Sequence, residues 1–178
     1  MRWNLMSTLS AMVLVLSCIP FAEAAGPGGT TVAKKKYVSV TVTTTTNSAN
    51  FDFRNNPDTA QVTGSLTATV ITTTTTAFGH TFTSTQRSLS GNVQNVPTVD
   101  NNLVVFGLNF GGVAPATPVA STVIASGAGS FNISTTRGDA VPTVTAGDVM
   151  DANASIGGQP VTLKKAIFAG PVTTVTQY

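Results

Sequence analysis

Apolar and hydroxyl residues alternate along much of this chain. Tyr37-Val38-Ser39-Val40-Thr41-Val42-Thr43 puts one kind on each side of an extended backbone. That two-residue period is the signature of a half-buried strand. Val62, Leu66, Ala68 and Val70 repeat it, with Thr63, Ser65, Thr67 and Thr69 between them. Further strands are predicted over residues 81–85, 89–93, 103–110, 119–125, 130–135, 161–168 and 172–176. The threonine runs 43–46 and 72–76 read as strand ends or low-complexity loops.

Turn signals separate these segments: Asn55-Asn56-Pro57-Asp58, Gly91-Asn92, Asp100-Asn101-Asn102, Gly111-Gly112, Gly127-Ala128-Gly129, Arg137-Gly138-Asp139 and Gly157-Gly158. No helical stripe of 3.6-residue period is evident, and only residues 146–153 are compatible with a single helical turn. The predicted fold is all-β. It is a single antiparallel β-sandwich of Greek-key or jelly-roll type, with about seven to ten strands.

The first residues break the pattern. Arg2 precedes a mostly apolar run over residues 9–21, and Ala22-Glu23-Ala24 follows it. The run is too short for a membrane-spanning helix, which needs about 20 apolar residues. A charged start, a short apolar core and a small-x-small site describe a signal peptide, cleaved after Ala24. A rival processing site is Val15-Leu16-Ser17-Cys18, a lipoprotein-like box that would leave Cys18 as a lipid-bearing N-terminus. Leucine just before the small residue fits that box poorly. The expected organisation is therefore a signal peptide over 1–24, a flexible leader over 25–36 and a sandwich over 37–178.

Composition narrows the function classes. Residues 1–24 hold the sole Cys, Trp and Glu of the chain, so no disulfide can staple the remainder. Charged residues make up 9% of the chain, against about 25% in ordinary soluble domains. Threonine supplies about one residue in six. A net charge of +2 is too weak to argue for nucleic acid.

Catalytic groups are scarce. His80 is the single histidine and lies between aromatics in Phe78-Gly79-His80-Thr81-Phe82, without the thiolates or carboxylates a zinc site needs. No Gly-x-Ser-x-Gly elbow supports a serine triad. The six aspartates of the region after Ala24 sit mostly in turn contexts, unlike a glycosidase pair. Asp148, Asp151 and Asn153 have the spacing of oxygen ligands for calcium, without an EF-hand loop, and a hydrogen-bonded turn explains them equally. Arg137-Gly138-Asp139 reads as a turn despite its likeness to an integrin-binding tripeptide. Asn132-Ile133-Ser134 and Asn153-Ala154-Ser155 are glycosylation sequons. No enzyme activity, cofactor or metal is expected.

Association remains. A flexible leader and Lys34-Lys35-Lys36 precede the cleanest alternating strand in the chain. Such a strand could add to the open sheet edge of a neighbour, with Tyr37, Val38, Val40 and Val42 as subunit contacts. Heterologous addition does not close, so it propagates as a fibre. Donor-strand pilins and biofilm-matrix fibres share this plan, although no family motif accompanies it here. The expected function is a secreted structural protein whose main partner is itself, helped by export or assembly factors and without a stable membrane anchor. The simpler alternative makes residues 37–46 the first strand of the domain's own sandwich.

Three other classes compete. A carbohydrate-binding or adhesin module would need exposed aromatics, Trp above all. A small outer-membrane barrel would need aromatic girdles. An ice-binding surface would need Thr-x-Thr ladders in register. The candidate pairs, Thr41/Thr43, Thr67/Thr69, Thr81/Thr83 and Thr174/Thr176, are irregularly spaced along the chain.

Overall fold

The computed structural model describes residues 38–51, 62–97, 102–113, 116–156 and 159–178. Residues 1–36, read above as signal peptide and leader, lie outside the described residues, as does Tyr37. The described chain forms nine strands. They are β1 (Ser39–Phe51), β2 (Gly64–Ala77), β3 (His80–Val93), β4 (Leu103–Asn109), β5 (Thr117–Val123), β6 (Gly129–Ser134), β7 (Val149–Ile156), β8 (Gln159–Ile167) and β9 (Val172–Gln177). All pairings are antiparallel. One sheet has the order β6-β3-β2-β1-β9 and the other β5-β4-β7-β8, and the two pack face to face as an all-β sandwich.

The core follows from alternation. Ala49 and Phe51 of β1, Leu66 and Ala68 of β2, and Leu89 and Val93 of β3 turn inward. They meet Val104, Phe106 and Leu108 of β4, Met150, Ala152 and Ala154 of β7, and Leu163 and Ala166 of β8. The Phe106 ring centre lies 4.4 Å from that of Phe131 and 6.4 Å from that of Phe51, in tilted contacts, and both partners come from the opposite sheet. Burial of apolar area, at about 25 cal/mol per Å², and ladder hydrogen bonds hold this domain.

Three sequence expectations change. Residues 81–85 and 89–93 belong to one strand, and Gly91-Asn92 lies inside it rather than in a turn. Gly91 is there for space: a Cβ at this position would overlap Leu66 and Phe131. Residues 146–153 do not form a helical turn. Only a hydrogen-bonded turn at 146–147 precedes β7, where alternate burial of Met150, Ala152 and Ala154 overrides any helical preference. The threonine run 43–46 is the interior of β1 and not its end or a loop, whereas 72–76 is the C-terminal end of β2, and a β-branched residue favours both placements.

Asp148 closes the turn before β7. Its carboxylate accepts from the Gly111 N–H (2.7 Å), the Thr145 N–H (2.8 Å) and the Thr145 hydroxyl (3.0 Å). Desolvation pushes this carboxyl up, but the three hydrogen bonds to its charged form outweigh that, so it lies below its ordinary value. A depressed folded value gives stability that is present above the unfolded value of about 3.9 and is lost as pH falls through the folded one. Thermal melts from pH 7 to pH 2.5 should show this loss below about pH 4. Asp148→Asn should melt lower at pH 7 and show a flatter acid limb. Parallel acid limbs for the two proteins would refute the assignment.

Candidate functional site

The larger sheet outgrows its partner. No residue of β1 before Asn47, of β2 after Ala68, of β3 before Leu89, or of β9 is buried. Above the core, four strands continue as a layer with neither face packed against another sheet among the described residues. At about 3.4 Å per residue, positions 80–87 of β3 carry this layer some 25 Å past the buried region.

A tight hairpin tip makes the extension regular. Ala77 pairs with His80, so Phe78 and Gly79 form a two-residue loop. Both have positive φ, 54° and 81°, as a type I′ turn requires. Gly79 takes that backbone without strain. His80 is the first residue of β3 and is exposed on this tip.

Register then sorts the side chains into two faces. On the face continuous with the core, Thr41, Thr74 and Thr83 form one row and Thr43, Thr72 and Thr85 the next. Ser39, Thr76 and Thr81 form a third. Hydroxyls approach across strands at Thr74/Thr83 (3.4 Å), Thr76/Thr81 (3.2 Å) and Thr45/Thr173 (3.4 Å). On the other face, Val40 and Val42 lie in rows with Phe82 and Tyr178, and with Ser84 and Thr176. Phe78, Phe82 and Tyr178 are strongly exposed. Within positions 80–86 and 172–178 there is no Lys, Arg, Asp, Glu or Pro.

The predicted contact residues sit inside this layer. Val38 is half-buried just before β1, and Val40 and Val42 are half-buried within it. β1 pairs along its full length with β2 and over residues 41–46 with β9. It is thus an interior strand of its own sheet, as the simpler sequence alternative has it. Donating it to a neighbour would require it to leave both.

The remaining candidates are dispersed. Asp148 is committed to Gly111 and Thr145. Asp151 accepts from the Asn109 side-chain N–H (2.8 Å) and lies 3.8 Å from the Lys165 ammonium. Asn153 accepts from the Thr162 hydroxyl (2.7 Å). These groups do not converge, and no set of three or more His, Cys, Asp or Glu side chains arranged to hold a metal occurs among the described residues. Arg137 and Asp139 pair at 3.4 Å across Gly138, and Asp139 also accepts from the Ser134 N–H (2.8 Å). The tripeptide is a tied turn. Asn132 is exposed on β6, where its backbone carbonyl accepts from Arg137.

Comparison with family models, curated proteins and solved structures returned no match.

Proposed function

We propose that this chain is a secreted structural protein that assembles with copies of itself into an extracellular fibre by strand addition. The observation that supports this reading is the single-layer extension: four strands, both faces wet, two lateral edges without a charge or a proline. Natural sheets block such edges with Lys, Pro, bulges or very short strands. The smaller sheet of this same molecule does so. Its edge strands carry Pro118 in β5 and Pro160 and Lys165 in β8, and a register irregularity occurs in each edge pairing. The contrast within one chain favours edges of the larger sheet that are kept open for use.

Electron microscopy of the protein as recovered from the medium of expressing cells tests this. Filaments with a strand-rich spectrum are expected. A monomer that stays monodisperse at high concentration, or a chain retained in the cell, would overturn it.

A second reading draws on the threonine rows, which resemble a lattice for an ordered surface such as ice. A lattice must be flat, whereas adjacent strands rotate by about 20–25°. Over the three steps from β9 to β3 this accumulates to roughly 60–75°, which places the fibre reading first. Thermal hysteresis that disappears in Thr74→Arg would reverse the order.

A further inference from the structure

The two open edges of the extension are complementary to each other. β9 exchanges both backbone hydrogen bonds with β1 at Val40 and Tyr178 (3.2 and 2.9 Å). Bonded and non-bonded pairs alternate in an antiparallel ladder. The next bonded pairs are therefore Val42/Thr176, Thr44/Thr174 and Thr46/Val172. That leaves Thr173, Val175 and Gln177 with N–H and C=O directed away from the sheet.

The same count applies to β3. The two-residue loop makes Ala77/His80 a bonded pair, so Phe82, Ser84 and Gln86 also bond inward to β2. Thr81, Thr83, Thr85 and Arg87 direct N–H and C=O outward. Arg87 shows that this assignment is right. Its N–H donates to the Thr135 hydroxyl (3.0 Å), and that hydroxyl donates to its carbonyl (3.4 Å). One threonine of the 3₁₀ turn at Thr135–Arg137 thus caps the outward groups at the point where β6 ends. Above it, no strand pairs with residues 80–86 among the described residues.

Direction and pleat also match. Three antiparallel steps lead from β9 to β3, so the two edges run in opposite directions. A copy displaced sideways brings its β9 antiparallel to β3 of the first. Thr81, Thr83 and Thr85 share a sheet face with Thr173, Val175 and Gln177, so the pleat continues across the joint.

We infer that β9 of one copy adds to the 81–85 edge of β3 of the next. This rests on the fibre reading above and assigns the two surfaces that meet. Each copy then keeps one free edge of each kind, so addition is heterologous and open-ended. Sheet twist makes the product a helical filament.

Proline on an outward-facing edge position removes a donor the fold does not use, and edge strands accept it. Full-length chains carrying Thr83→Pro or Val175→Pro should each be monomeric in sedimentation, with unchanged circular dichroism. Mixed in equal amounts they should form a one-to-one dimer and no filament, because one retains a working β9 and the other a working β3. Thr83→Lys and Val175→Lys repeat the test with an edge charge should a proline disturb folding. Folded variants that form filaments like the parent, or that stay monomeric when mixed, overturn the edge assignment and leave the fibre reading standing. A parent chain that never assembles overturns both.

Discussion

Phe106→Ala should cost about 3–5 kcal/mol, the range for truncating a fully buried phenylalanine. Phe106 has no exposed surface. It belongs to the smaller sheet and lies between Phe51 and Phe131 of the larger one. Its ring is thus a bridge between layers, and the cavity left by alanine would be lined from both sheets. Total stability of a single domain is about 5–15 kcal/mol. The sole cysteine of the chain, Cys18, precedes the described residues, so no disulfide supplements that figure here. The melting temperature should fall by about 10 °C or more. Far-ultraviolet circular dichroism is the suitable probe, since the single tryptophan is Trp3. Phe106→Leu should retain most of the stability. A loss under about 1 kcal/mol for the alanine variant would mean that the two layers do not meet at this ring.

The fold class was legible because propensity and pattern agree in this chain. Val, Thr and Phe occupy alternating positions, and each favours a pleated surface. Boundaries were harder. Gly91-Asn92 carries a turn composition, yet the glycine is fixed by contact with Leu66 and Phe131, which lie distant in sequence. β7 escaped detection for a related reason. Val149-Met150-Asp151-Ala152-Asn153-Ala154 alternates, but two of its three inward apolar members are alanines and its alternate members include two polar side chains held by Asn109 and Thr162. Neither relation is visible from local sequence.

The association surface was half legible. Low charge, abundant threonine and missing edge guards are compositional and could be read directly. The strand to which they pointed, read as residues 37–46, is interior over its described part, because β9 pairs with residues 41–46 and covers it. The threonine rows were hidden too. Thr41/Thr43 and Thr81/Thr83 fall on one face while Thr67/Thr69 and Thr174/Thr176 fall on the other. The regular array instead draws Thr72, Thr74 and Thr76 from a run that looked featureless. Pairing register, which no single strand encodes, decides which residues become neighbours.

Lys164→Met should raise stability by about 1–4 kcal/mol, the range seen when buried charges give way to apolar groups of similar volume. The lysine is in the core because of a bulge. β8 would alternate Val161, Leu163 and Lys165 inward if it paired without interruption. Instead the register shifts opposite Ala152/Asn153, leaving Leu163 as the extra residue. From there Lys164, Ala166 and Phe168 face inward and Lys165 faces out toward Asp151. The shift buries Phe168 and Ala166 at the expense of taking one ammonium inside. Lys164 is 1% exposed, and its amine has no hydrogen-bond partner among the described residues. A buried charge without a partner is strongly unfavourable. Methionine keeps the unbranched stem that fills the space and removes the charge. Urea unfolding monitored by circular dichroism measures the change, with Lys165→Met as a control that should shift stability by less than about 1 kcal/mol. Should Lys164→Met unfold more easily than the parent, the ammonium must hold a favourable interaction inside the sandwich, and the bulge would then serve to place that lysine rather than Phe168.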